Sequence, residues 1–253
     1  MIHIVLWKWT QVNFRHPYAA EHVNAMTRML LGNLKGVEHR IICVTDDPAG
    51  VDPPVQTYPL WDNHGKMSNP SGKHLPSCYR RLRLFSPEAQ RDLDISVGDK
   101  VVSLDLDSVI IGHLGDVLGR KERFVSWHVR GMYHPRVFNG SFWMFTAGDL
   151  TELWDLFDPN VSPAVTLKAG FMGSDQAWLS YKMSREPCAF GLQWPQFASY
   201  PREVRRMRLL DKRTKIVFFH GAHKPWHKEI QNESPWITRY WFVPETAKTG
   251  TGG

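Results

Sequence analysis

The sequence predicts an α/β fold, a mixed and mainly parallel sheet flanked by helices. Two patterns predict it. Short aliphatic or aromatic runs of strand type recur along the chain (IHIVLW, HRIICVT, KVVSL, RFVSWHV, SFWMFT and KIVFF), and segments with helical spacing fall between several of them. Size agrees: 253 residues, 42% hydrophobic and 22% charged, suit one core of ordinary globular composition. A single domain over residues 1–243 is expected, followed by a disordered tail, PETAKTGTGG, over 244–253.

Taken in order, IHIVLW is the first strand. After Pro17, the positions Ala20, Val23, Met26, Leu30 and Leu34 keep close to a 3.6 period, which predicts a helix ending near Gly36. HRIICVT is the second strand, and SCYRRLRLF predicts a helix with Ser77 as its N-cap, stopping before Pro87. KVVSL leads into Asp105, and RFVSWHV and SFWMFT supply two more strands. GDLTELWDLF and SDQAWLSYKM are helical in pattern, and KIVFF is the last strand. The connections 46–76 and 186–214, rich in Pro, Gly, His and Arg, are longer than a link requires and are expected to be functional or mobile.

Composition narrows the classes of function. No apolar run approaches the roughly 20 residues that cross a bilayer, and the first residues lack a cleavage site, so a soluble, cytoplasmic protein is expected. Cys43, Cys78 and Cys188 are odd in number and form no C-x-x-C pair, which favours reduced packing cysteines. The formal charge of +6 is concentrated in REVRRMRLLDKRTK. There Arg202, Arg205, Arg206, Arg208, Lys212, Arg213 and Lys215 stand against Glu203 and Asp211. Such a run is either a solvated face or a docking strip for a polyanion.

The stretch KVVSLDLDSVII carries the chemistry. Residues i and i+2 of a strand share a face, so Asp105 and Asp107 project together if the extended geometry persists. They fall at the carboxyl edge, where open α/β sheets bind ligands. Two aligned carboxylates call for a cation, and oxygen ligands suit Mg²⁺ or Mn²⁺; otherwise both merely cap a turn in solvent. Two chemistries use such a doublet. DLDSV fits the D-x-D-x-[TV] spelling of aspartyl-phosphate phosphatases, but the later acids Asp149, Asp155 and Asp175 form no paired cluster. Nucleotide-sugar transfer instead needs a further ligand and a cation to converge on a diphosphate leaving group. IVFFHGAHKPW offers His220 as a ligand, Gly221 for close backbone approach and Lys224 for an oxygen.

With those residues in hand, the chain resembles the GT-A glycosyltransferases, specifically retaining enzymes of the glycosyltransferase 8 type and bacterial and phage sequences ending in F-H-G-x-x-K-P. The similarity runs in order over most of the chain. VLWKWTQVNFRHPYAAEHV resembles the first strand, nucleotide loop and helix, and implies that Tyr18 stacks on uracil; Trp7, Trp9 and Trp226 fall beside motifs and are candidates to line the donor pocket. SCYRRLRLF resembles Y-x-R-L-K-L, implying a donor contact for Arg81. LDLDSVI is similar to the D-x-D element, implying nucleotide and metal roles for Asp105 and a metal role for Asp107. FNGSFWMF resembles F-N-[AS]-G-V and makes Asn139 a sugar contact, while GSDQAWLS resembles a D-Q-D helix start that puts Asp175 and Gln176 beside the anomeric carbon. FHGAHKPW resembles H-x-x-G-x-x-K-P-W, implying His220 as third metal ligand and Gly221 and Lys224 on the diphosphate. Three departures stand out: His220 and Lys224 are four apart rather than six, Ala177 replaces the second acid of D-Q-D, and the Trp- and Lys-rich first loop lacks D-x-x-Y.

The resemblance implies a retaining transfer from a nucleotide-sugar, a UDP-sugar by preference, with Mn²⁺ or Mg²⁺ as cofactor. The basic strip, close in sequence to His220, points to double-stranded DNA as acceptor, a hydroxymethylated pyrimidine of phage type held by Arg202, Arg205, Arg206 and Arg208. Trp194, Phe197 and Tyr200 are candidates to stack on its bases. A surface polysaccharide, a lipid-linked glycan or a protein is the alternative acceptor, and the phosphatase and a degenerate binding module are the alternatives to a transferase.

Overall fold

The structure, a computed structural model, describes residues 1–10, 17–72, 75–128, 138–186, 189–192, 195–208 and 210–242. Strands β1 (Ile2–Lys8), β2 (His39–Thr45), β3 (Gln56–Pro59) and β4 (Lys100–Leu104) belong to the main sheet, whereas β5 (Ser108–Ile110) leaves it. Strands β6 (Phe124–His128), β7 (Phe138–Thr146) and β8 (Ala189–Leu192) complete the main sheet. Its seven strands run in the order β3-β2-β1-β4-β7-β6-β8, and only β7 opposes its neighbours. A second, three-stranded sheet joins β5 to β9 (Phe197–Ser199) and β10 (Ile216–Phe218) in the order β5-β10-β9. KIVFF is therefore a strand, as expected, but of the smaller sheet.

The helices are α1 (Ala20–Asn33), α2 (Pro87–Asp92), α3 (Gly115–Leu118), α4 (Glu152–Asp155), α5 (Ser162–Lys168), α6 (Asp175–Met183), α7 (Arg205–Met207) and α8 (Lys228–Glu233). SCYRRLRLF forms a 3-10 helix, Tyr79–Phe85, rather than an α-helix, and its N-cap is Cys78, not Ser77. It stops before Pro87, as expected, and Pro87 also opens α2, where the Ser86 hydroxyl accepts the Ala89 N–H at 3.1 Å. At the start of α1 the Ala19 N–H donates to His22 Nδ1 at 2.8 Å, so an imidazole does what Glu or Gln does in a capping box.

The main sheet is buried on both faces, and β1 shows why. Ile4 and Leu6 point into one core with Val23, Met26 and Leu30 of α1 and Val217 of the second sheet. Val5 and Trp7 point into the other, with Leu82 and Phe85 of the 3-10 helix and Trp178 of α6. Alternation with period two gives each core its own set of side chains. Cys43 is buried and unpaired and Cys78 is free, while Cys188 and the expected tail at 244–253 lie outside the described residues. No helix among the described residues is long and apolar enough to cross a membrane.

Candidate active site at the end of the central strands

The chain leaves the main sheet after Leu104 and enters the second sheet at Ser108, so Asp105 and Asp107 occupy the bend between two sheets rather than one straight strand. The Asp105 N–H bonds the Ser141 carbonyl of β7 at 2.9 Å, and the Asp107 carbonyl accepts the Phe219 N–H just past β10 at 2.9 Å. The backbone of each residue is thus pinned on a different side, Asp105 to the main sheet and Asp107 to the end of β10. Both still line one cavity of about 480 Å³ at the carboxyl end of β1 and β4.

Every donor-site and metal-site residue expected from the sequence, Trp226 excepted, lines that cavity. Trp9 and Tyr18 come from the end of β1 and the approach to α1, and Arg81 from the 3-10 helix. Asn139 comes from β7, Asp175 and Gln176 from the first turn of α6, and His220, Gly221 and Lys224 from the loop after β10. Trp226 does not line it: its ring packs on His22 at 4.1 Å between centroids and edge-on to Tyr18 at 6.0 Å. The reading from sequence missed Asn69 and Ser71, which line the cavity from the long connection before the 3-10 helix, and Met172, from the short link between α5 and α6, none with a motif to mark it.

Arg81 holds the site together. Its Nε and Nη2 donate to Asp175 Oδ2 at 2.7 and 2.6 Å, and its Nη1 pairs with Asp105 Oδ1. Burial works against its charge, but Asp175 and Asp105 hold its pKa above the usual arginine value. Burial pushes Asp105 up to about 6, against the pull of Arg81 and with the repulsion of Asp107 and Asp175. Asp175 is raised by burial too, again against Arg81. The Ser174 hydroxyl donates to Asp175 Oδ1 at 3.3 Å while accepting the Cys78 N–H at 2.8 Å, so the 3-10 helix and α6 are tied at the same point.

Asn139 and Gln176 are oriented by backbone. Asn139 Oδ1 accepts the Ser141 N–H at 2.9 Å; Gln176 Oε1 accepts the Gly140 N–H at 3.3 Å and its Nε2 donates to the Met172 carbonyl at 3.1 Å. Gly140 is needed because a Cβ there would stand 2.8 Å from Arg81 Nη2 and 3.3 Å from Gln176 Cβ. Arg81 is clamped by two carboxylates and cannot move aside. Gly140→Ala is therefore expected to cost about 1–3 kcal/mol through overpacking, read as a lower urea midpoint at unchanged slope.

On the far side, Lys224 is buried and its Nζ pairs with Asp107 Oδ2 and donates to the Phe219 carbonyl at 3.3 Å. His220 shares a 2.7 Å hydrogen bond between Nε2 and the Ser199 hydroxyl, and burial lowers its pKa to about 4 despite nearby Asp107. Ser199, unmarked in the sequence, fixes that ring. Among the described residues, no three His, Cys, Asp or Glu side chains stand together so that they could hold a metal ion, so the expected set of Asp105, Asp107 and His220 is not gathered. Its chemistry nonetheless suits a divalent cation: an imidazole lines the cavity with three carboxylates, Asp105, Asp107 and Asp175, which face only two cations, Arg81 and Lys224.

The basic strip lies beside this cavity and not in it. Arg202, Arg205, Arg206 and Arg208 are exposed around α7. Arg205 donates to Glu233 at 2.8 and 3.0 Å and to His223, next to Lys224, at 2.8 Å. The expected stacking residues are corrected here. Tyr200 is buried and stacks on Phe219 at 4.3 Å, and Phe197 is buried against Phe142 and Phe218, so neither presents a face to a base; Trp194 lies outside the described residues. Their aromatic surface is worth more in the core than at a surface.

No protein-family model and no curated protein sequence matches the chain. Solved structures do. The galactosyltransferase LgtC, crystallised with donor and acceptor sugar analogs, superposes with a TM-score of 0.58 at 14% identity, covering 96% of this chain and 98% of that one. An active-site mutant of LgtC gives a TM-score of 0.60 at 12% identity with the same coverage. The chain thus has, over nearly its whole length, a fold similar to that of LgtC, and the mainly parallel sheet flanked by helices is the one expected of a GT-A fold.

Proposed function

We propose that this chain is a retaining glycosyltransferase of the glycosyltransferase 8 type that moves a sugar from a nucleotide-sugar, a UDP-sugar by preference, to an acceptor hydroxyl. The observation that carries this reading is the convergence, in one cavity at a sheet's carboxyl edge, of Asp105, Asp107, Asn139, Asp175, Gln176, His220 and Lys224 from motifs far apart in the chain. The likeness to LgtC supports it. In the reaction the bond between the anomeric carbon and the diphosphate oxygen breaks, and the acceptor oxygen bonds the same carbon on the same face. The acceptor proton passes to the departing phosphate. Asp175 and Gln176 support the cation-like sugar, Asn139 positions its hydroxyls, and Arg81 and Lys224 stabilise negative charge nearby. An ion held by Asp105, Asp107 and His220 would neutralise the diphosphate. Phosphatase chemistry is disfavoured because Asp105, the nucleophile it needs, is held by Arg81.

For the acceptor we propose DNA carrying a hydroxymethylated pyrimidine, because the exposed arginines of α7 stand next to the cavity through the Arg205–His223 hydrogen bond. A glycan or protein acceptor is the competing reading. Purified protein is incubated with a panel of nucleotide-sugars, Mn²⁺, and either hydroxymethylated duplex or oligosaccharide, and the products are weighed by mass spectrometry. A mass gain of one sugar on the duplex is expected. Replacing both Arg206 and Arg208 by Glu should reduce the slope of log K against log salt for duplex binding by about 2. Sugar transfer to oligosaccharide alone would refute the DNA acceptor, and no transfer from any nucleotide-sugar would refute the transferase.

A further inference from the structure

We infer that Lys224 occupies the place of the divalent ion until the donor arrives, so that ion and nucleoside diphosphate bind as a pair and neither binds well alone. The inference rests on the nucleotide-sugar reading of the cavity and concerns the order in which it fills. Lys224 Nζ pairs with Asp107, a carboxylate the ion would need, and both side chains are buried. Two cations on one carboxylate at such range repel each other strongly where water is excluded. One of them has to leave. The ammonium is the mobile one, a point charge on a flexible four-carbon stem.

The surroundings show where it can go and what would draw it there. Gly221, three residues earlier on the same loop, adopts φ +80, lines the cavity, and has nothing within 4 Å of where a Cβ would stand. The loop backbone therefore borders open space on the cavity side. With three carboxylates against two cations, the cavity as it stands repels a diphosphate. With a divalent ion added and Lys224 turned away from Asp107, the same walls are net positive and attract one. An ion alone meets the Lys224 charge, and a diphosphate alone meets the carboxylates. Each ligand removes the obstacle to the other, and thermodynamic reciprocity makes the two enhancements equal.

Manganese binding by electron paramagnetic resonance and UDP binding by calorimetry test this without any turnover. In the wild-type chain, Mn²⁺ and UDP are each expected to bind at least tenfold tighter in the presence of the other. Lys224→Met should bind Mn²⁺ alone about tenfold tighter than wild type, so that the gain on adding UDP shrinks by that factor while the part due to the carboxylates remains; Lys224→Gln serves the same purpose should the first variant fail to fold. Mn²⁺ affinity that is independent of UDP, or no tighter in either variant, overturns the inference and leaves the transferase reading standing. The same holds for UDP binding without Mn²⁺ in every variant. If no nucleoside diphosphate binds under any condition, the donor reading falls and the inference with it.

Discussion

Arg81→Met is expected to lower folding stability by about 3–5 kcal/mol, the usual cost of removing one partner from a buried ion pair. The reason is geometric. One guanidinium satisfies Asp105 on the main-sheet side and Asp175 at the start of α6, and the Arg81 and Asp175 side chains are only 4% and 3% exposed. Without it, two carboxylates face each other and Asp107 across a cavity that has lost a cation. Burial already raises the pKa of both, and losing Arg81 pushes each further towards its protonated form, which limits the loss.

Arg81→Lys should recover only part of the loss, because an ammonium cannot place donors on two carboxylates in the planar fork that Arg uses. Combining Arg81→Met with Asp175→Asn and Asp105→Asn should cost less than Arg81→Met alone, since no buried charge is then left unpaired. Urea unfolding of the four proteins measures all of this. A midpoint for Arg81→Met equal to wild type would mean that the pairs contribute nothing, and the description of Arg81 as the tie between α6 and the main sheet would be wrong. Transfer activity should fall with it, because Asp175 and Gln176 depend on that tie for their position.

Some of this arrangement could be read from the chain alone. Strand β1 is legible because Ile4/Leu6 and Val5/Trp7 alternate between two cores, and α1 because Val23, Met26 and Leu30 keep one face. The second sheet was not legible. Its strands have three residues each, and nothing local in IVF says which sheet will pair with it. Pro87 marks the end of the preceding helix in the sequence, but that it also begins the next one is set by the Ser86 cap. The candidate residues were marked by the order of their motifs, but their partners were not. That Arg81 serves two acids, that Lys224 faces Asp107, and that Ser199 fixes His220 are contacts between residues 21 to 117 positions apart. Phe197 and Tyr200 fail for the complementary reason: an aromatic side chain near a basic run has the same letter whether it stacks on a base or fills a core.

Acid should weaken the protein well before its carboxylates are all protonated, and His22 is the group that makes this measurable. Its ring is 7% exposed, lies against Trp226 at 4.1 Å and accepts the Ala19 N–H through Nδ1 at 2.8 Å, which an imidazolium cannot do. Burial lowers its pKa from 6.5 to about 4. Between those values the unfolded chain binds a proton that the folded chain refuses, so stability contributed by neutral His22 is complete above 6.5 and is lost as pH falls towards 4. The full loss is on the order of 3 kcal/mol, with a slope of at most about 1.4 kcal/mol per pH unit. His220, also lowered to about 4, acts in the same direction. Asp105 acts in the opposite one: raised from 3.8 to about 6, its penalty is complete above 6 and is relieved as pH falls through that range. Asp175, raised by burial too, acts with Asp105, while His3 and His64, lowered by burial, act with His22 and His220, so four histidines against two acids leave a net loss on acidification. His22→Gln isolates the term, because a glutamine at the third helical position can accept the same N–H without titrating. Urea unfolding at pH 4.5, 5.5, 6.5 and 7.5 should give a shallower decline for His22→Gln than for wild type. Parallel declines would mean that His22 is already open to protonation in the folded chain, and with it the contact between α1 and the Trp226 loop.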